Sequence, residues 1–278
     1  GWLYDVLAEV YEEVGWMDAA AARQFQFAGF YSSSFLPNIR TITIPDNLAV
    51  PDNYYTLLTS QMTEVLTNVS HWLEGELAAA AQAGDGVFIL GHHPPNGGYH
   101  PWLADTFTPL LSRYSHTVKG TFWGHTHESQ IQLHRDVNSS KPIIPAFIGP
   151  APTPHGGHFP SFRIYTVNKT DGTVLDFDDY NLPINSHRNQ LTREPVPQFQ
   201  VGLSALKDLN LTSLSPQALE DFANKMRTDD ALFHRWEIAY QTGNAEIADF
   251  SASERLERVC DILSGTSAQK SACKKQGL

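Results

Sequence analysis

Two apolar runs, Val87 to Leu90 and Val118 to Trp123, each end in a glycine followed at once by histidine, giving Gly91-His92-His93-Pro94-Pro95 and Gly124-His125-Thr126-His127. Runs of this length bounded by Gly and Pro read as buried strands. The two prolines stop the first, and Gly124 lets the second turn tightly. A chain that delivers four imidazoles to two strand ends is restricted to folds in which those ends are neighbours in a sheet. Neutral imidazole is a good ligand for zinc and other divalent first-row ions, and a strand end is a rigid place from which to aim one. If the backbone stays extended past Gly124, period two puts the rings of His125 and His127 on one side. One strand-end histidine is most often an ordinary polar residue. Two glycine-preceded clusters shift the balance to a metal site.

The flanking pattern is that of layered α/β architecture. Phe25 to Tyr31 and Ile39 to Ile44 read as strands, the second closed by the turn signal Pro45-Asp46-Asn47. A helix from about Asn68 to Ala83, capped by Gly84, leads into the Val87 strand, and a helix from Leu103 to Tyr114 leads into the Val118 strand. From Ser129 the pattern changes to strands alone: Ile131 to Leu133, Ile143 to Ile148, Phe162 to Val167 and Val174 to Phe177. Residues 191–278 read as a helical subdomain, with helices over Pro195 to Leu209, Pro216 to Arg227, Ala231 to Tyr240 and Ala252 to Leu263, and Ser215-Pro216 as a helix start. The spacing of Phe222, Phe233, Trp236 and Tyr240 marks them as packing residues rather than ligands. Trp2 to Val14 reads as an amphipathic helix with Leu3, Val6, Leu7, Val10 and Val14 on one stripe. Because the chain opens on Gly1 with that helix already under way, it reads as a piece of a longer protein, upstream of which a signal peptide would go unseen.

With 278 residues, 41% of them hydrophobic, the chain can bury a sizeable core. A net charge of −11 with no Lys/Arg cluster argues against nucleic acid or an anionic membrane as an electrostatic partner. No apolar run approaches the roughly 18 residues that span a bilayer. Four Asn-x-Ser/Thr acceptors, at Asn68, Asn138, Asn168 and Asn210, are more than chance supplies. The chain's two cysteines, Cys260 and Cys273, bracket a short terminal stretch and read as a disulfide, against two free thiols in a reducing cell. Together these favour secretion or an endolysosomal lumen.

The pair GHHPP and GHTH resembles the last two motifs of the calcineurin-like metallophosphoesterases. The chain also resembles the acid sphingomyelinase family from end to end, through Trp2-Leu3-Tyr4, Gly29-Phe30-Tyr31, Trp72-Leu73-Glu74-Gly75-Glu76-Leu77, Phe122 to His127, Pro160 to Tyr165 and the cysteine-bearing tail. The resemblance implies part of a metallophosphoesterase β-sandwich flanked by helices over residues 1–190, its second sheet formed by the strands after Ser129, with the all-α subdomain following. It also implies the Cys260–Cys273 pairing and two zinc ions in the full-length enzyme. His92 and His125 would bind one ion and His127 the other. The family's remaining ligands come from Asp-x-His, Gly-Asp and Gly-Asn-His motifs upstream of GHHPP. Asp-x-His and Gly-Asn-His are absent from the 278 residues, and the single Gly-Asp, Gly84-Asp85, precedes a strand where it should follow one. The bridging carboxylate and the leaving-group acid are therefore expected upstream, and this chain alone is expected to be inactive.

Most of the 12 histidines fall between His92 and His158, which suggests one polar face built by loops. His93 is a candidate rim residue that orients a ligand. His155 and His158 are candidates for the substrate cleft, as are Tyr99, His100 and Trp102, whose rings suit an apolar or choline-like group. The activity implied by the resemblance is zinc-dependent hydrolysis of sphingomyelin to ceramide and phosphocholine, by a monomer touching a lipid surface peripherally. Two other readings stand beside it: a sphingomyelinase-like enzyme for nucleotides or other soluble phosphoesters, and a non-catalytic binding protein that keeps the fold.

Overall fold

The structure, a computed structural model, describes residues 2–46, 60–97, 103–184 and 197–278. Its centre is a six-stranded sheet of β1 (Tyr31–Leu36), β2 (Ile39–Thr43), β3 (Gly86–Leu90), β4 (Val118–Trp123), β5 (Gln130–Arg135) and β6 (Pro142–Ile148), in the order β1-β2-β3-β4-β6-β5. Strands β2, β3, β4 and β6 run parallel, so their C-terminal ends share one edge of the sheet, while β1 and β5 pair antiparallel at the flanks.

Period-two alternation assigns the two faces. Val87 and Ile89 of β3 join Ile42, Val118, Ile144 and Ile148 on one side, where they pack under Leu73 and Leu77 of α3 (Ser60–Ala83) and Leu110 and Leu111 of α4 (Thr108–Arg113). Phe88 of β3 points the other way, with Ile39, Ile131, Leu133 and Phe147, into a core shared with Phe177 and Leu203 of a second, three-stranded sheet. That sheet is β7 (Ser161–Val167), β8 (Val174–Asn181) and β9 (Gln200–Ser204), all antiparallel. The same core takes Phe222, Met226, Trp236, Tyr240, Val259 and Ile262 from helices α6 (Pro216–Met226), α7 (Asp230–Tyr240) and α8 (Ala252–Ile262), which follow the short α5 (Ala205–Asp208). Each large apolar side chain so buried contributes about 1.5–3 kcal/mol. A last helix, α9 (Ser267–Gln276), is joined to α8 by the Cys260–Cys273 disulfide.

Local signals explain the helix ends. Ser215 accepts a hydrogen bond from the Ala218 amide ahead of Pro216, and Gly84 ends α3 with a positive φ of 77°. Four readings are corrected. Phe25 to Tyr31 is not a strand: α2 (Ala19–Ala28), capped by Asp18 and by Gly29 in the left-handed region, occupies most of it, and β1 begins only at Tyr31. The apolar run was there, but four alanines ahead of it carry the helix through Phe25. Residues 200–204 form β9 rather than helix, because pairing with β8 outweighs local preference. Strands β5 and β6 complete the first sheet, so the second holds only β7–β9. Finally, α1 (Trp2–Glu13) packs Ala8, Tyr4, Leu7 and Tyr11 against α2, leaving Leu3, Val6, Val10 and Val14 exposed.

Candidate metal centre

In open α/β sheets, ligands bind outside the carboxyl ends of parallel strands, and here that edge carries the histidines. Backbone bonds lock the two motif loops side by side: the Gly91 amide donates to the Phe122 carbonyl (3.0 Å) and the Gly124 amide to the His92 carbonyl (2.9 Å). Gly91 is required by space, since a Cβ there would sit 2.3 Å from the Trp123 ring. This crossing brings three imidazoles together. His92, His93 and His125 offer ligand atoms that all lie within 4.8 Å of one another, with ring centroids 4.9, 5.2 and 4.3 Å apart for 92–93, 92–125 and 93–125.

A carboxylate lies beside them that the sequence reading had placed in a turn. Asp46, three residues beyond β2 and 3% exposed, accepts hydrogen bonds from the amides of His92 (2.8 Å) and His93, and its Oδ2 lies 3.4 Å from His93 Nδ1. The signal available was position alone: β2 runs parallel to β3, and a residue just past one strand end faces the loop past the next. Burial, with the neighbouring His125 and His92 rings, holds the His93 imidazole below its ordinary pKa against the opposing pull of Asp46. Neutral imidazole is the ligating form.

His127 is not in that group with His125. Both residues take positive φ, 73° and 68°, so the backbone is not extended after Gly124 and period two does not apply. Left-handed backbone at non-glycine residues costs on the order of 1 kcal/mol each and concentrates at functional sites. The His127 ring contacts that of His155, with centroids 5.6 Å apart, and its buried Nδ1 has no hydrogen-bond partner among the described residues. His155 is exposed on a single 3-10 turn, His155–Gly157, whereas His158 is buried with Nε2 2.9 Å from Gln241 Oε1. Tyr99, His100 and Trp102 lie outside the described residues.

The C-terminal helices grip the loops that carry these groups. The Tyr240 hydroxyl donates to Glu128 (2.8 Å), next to His127, and the Ser129 amide donates to the Tyr240 carbonyl (3.1 Å). Thr242 accepts from the Phe159 amide (2.7 Å) and Asn244 donates to the Gly157 carbonyl (2.8 Å). Beyond GHHPP, buried Asn96 donates to the carbonyls of Asp261 (3.1 Å) and Ser264 (3.3 Å) and accepts from Gln132 (2.9 Å). Buried Arg258 anchors this end of α8 to α7 through Glu237 (2.8 Å) and lies 3.5 Å from the Tyr240 ring centroid.

Three imidazoles, with a buried carboxylate bracing the loop that carries two of them, fit a divalent ion of the zinc class. The donor set gathered among the described residues suits one ion. His127 lies outside that set.

No protein-family model matches the chain. Over 98% of its length it is 30% identical to sphingomyelin phosphodiesterase of Bos taurus, covering 43% of that protein, and 25% identical to sphingomyelin phosphodiesterase A of Dictyostelium discoideum, covering 46%. It is 25% identical over 99% of its length to a cyclic GMP-AMP phosphodiesterase of Mus musculus, covering 63%. Among solved structures, a dimetal phosphatase from Danio rerio overlaps 63% of this chain and 61% of its own at 12% identity with a TM-score of 0.37, too loose an overlap to bear on the argument. The resemblance to the acid sphingomyelinase family thus extends over nearly the whole chain, which spans less than half the length of the sphingomyelin phosphodiesterases it matches.

Proposed function

We propose that this chain supplies one side of the active centre of a metal-dependent phosphodiester hydrolase of the acid sphingomyelinase type. The observation that carries the reading is the convergence of His92, His93 and His125 at adjacent parallel strand ends beside Asp46. Zinc bound there would acidify a water molecule and neutralise charge on the phosphate oxygens. His92 and His125 hold the first ion, and His127, whose buried Nδ1 has no hydrogen-bond partner among the described residues, faces the second. Asp46 fixes the loop that presents His92 and His93. His155, exposed beside His127, and the buried His158 border the substrate cleft, and the leaving-group acid is assigned to no residue of this chain.

Sphingomyelin is the first substrate proposed, since two of the relatives named above carry that activity in their names. A nucleotide phosphodiester is the second, because the cyclic GMP-AMP phosphodiesterase matches 99% of the chain. The compartment proposed is extracellular or endolysosomal. Asn68, Asn138 and Asn210 are exposed and Asn168 is half-buried, so a glycan can be attached at the first three at least, and the disulfide suits an oxidising lumen. Among the described residues no helix is long and apolar enough to cross a membrane.

The test uses the protein expressed from its complete gene, loaded with zinc and assayed at acid pH on sphingomyelin vesicles and on a cyclic dinucleotide. Release of phosphocholine, abolished by His125→Ala, is expected. Turnover of the nucleotide alone would replace the first substrate by the second, and turnover of neither would leave the binding-protein reading.

A further inference from the structure

Consecutive residues of a strand point to opposite faces, so two adjacent histidines do not ordinarily converge on one point. His92 and His93 do, together with His125 from the neighbouring strand. The cause is visible in the backbone. The Asp46 carboxylate takes the amide hydrogens of both residues, bending the chain past β3 just ahead of Pro94, and the same carboxylate stands 3.4 Å from His93 Nδ1. Burying a carboxylate is expensive unless its oxygens are satisfied. Here two amides donate to Oδ2 and the His93 imidazole stands beside the same oxygen, which makes the arrangement a built one. The nitrogens of a tetrahedral zinc site lie about 3.3 Å apart, given Zn–N near 2.0 Å. The three ligand atoms, at most 4.8 Å apart, reach that spacing by modest side-chain rotation.

We propose that His93 is a third imidazole ligand, aimed by Asp46 as its positioning residue, so that this chain holds one divalent ion of the zinc class with its own side chains. A carboxylate that accepts a hydrogen bond from one ring N–H fixes the tautomer, aims the ring and raises the basicity of the other nitrogen. Asp46 therefore acts through His93 and does not touch the ion. This inference rests on reading the cluster as a metal centre and adds a ligand that the resemblance does not supply.

Cobalt(II) titration of the full chain, followed by visible absorption, tests it directly. One tight ion per chain is expected. His93→Ala should weaken binding at least 100-fold and shift the absorption band, and Asp46→Asn should weaken it about 10- to 100-fold. Far-UV circular dichroism of each variant separates a lost ligand from a lost fold, and added imidazole should restore the band in His93→Gly. Three outcomes would overturn the proposal: no ion bound, two ions of equal affinity, or wild-type affinity in His93→Ala while His92→Ala and His125→Ala lose the ion. Because the readout is affinity, a chain that binds the ion but hydrolyses no phosphodiester keeps this inference and sinks the functional reading.

Discussion

Truncating Asn96 should loosen the join between the GHHPP loop and the C-terminal helices. The side chain is buried, and removing it strands three groups at once. The Gln132 amide loses its 2.9 Å acceptor and keeps a 3.4 Å contact to Gln130, and the Ser264 carbonyl loses its Asn96 donor. The Asp261 carbonyl, which also accepts from the Ser264 amide, loses the lesser share. Each buried polar group left without a partner costs about 1–3 kcal/mol. With two groups losing their main partner and a third partly compensated, Asn96→Ala should destabilise by about 3 kcal/mol. For a chain of this size that is a drop in Tm of about 6–12 °C. Urea unfolding followed by tryptophan fluorescence gives the difference, and it is a stability effect that metal-free protein should show in full. A change below about 1 kcal/mol would refute the reasoning, because it would mean that water or relaxation replaces the bonds that tie this loop to α8.

Three further outcomes follow from the packing. Arg258→Met leaves the fully buried Glu237 without its charged partner and should cost about 3–5 kcal/mol by chemical denaturation, while the double variant Arg258→Met/Glu237→Leu should recover much of it. Replacing both Cys260 and Cys273 by serine removes a cross-link between residues 13 apart and should cost about 3 kcal/mol, with the wild type falling to the same level in reductant. His134, fully buried 2.9 Å from the Thr121 hydroxyl, has its pKa lowered by burial to about 3. Between about pH 6.5 and 3 the unfolded imidazole binds a proton that the folded one refuses. Stability should therefore fall as the pH falls, by up to about 1.4 kcal/mol per unit, and His134→Gln should flatten that slope in a pH series of unfolding curves.

The parts of this fold that were legible in sequence are those where one local rule acts alone. The Val87 and Val118 runs are strands because both of their faces are buried, and Ser215-Pro216 and Gly84 mark helix ends by their own backbone chemistry. Where two rules compete, local reading fails. Phe25 and Phe27 look strand-like until the preceding alanines are weighed, and β9 exists only because β8 offers an unpaired edge. At the site, two of the converging histidines were legible as ligands from the glycine-histidine pattern, and His93 as a rim residue. Asp46 was not, because its role depends on β2 lying parallel beside β3, a relation between residues 46 apart in sequence. The turn of the backbone at His125 and His127 was hidden for a different reason: positive φ at a histidine breaks the alternation on which the reading relied.

The central claim is that strand-end histidines from two adjacent loops hold a divalent ion. Diffraction from zinc-soaked crystals at energies on either side of the zinc edge addresses it without reference to turnover. The account predicts an anomalous peak within coordination distance of His92, His93 and His125. Zinc bound at full occupancy elsewhere, with that cluster empty, would contradict it.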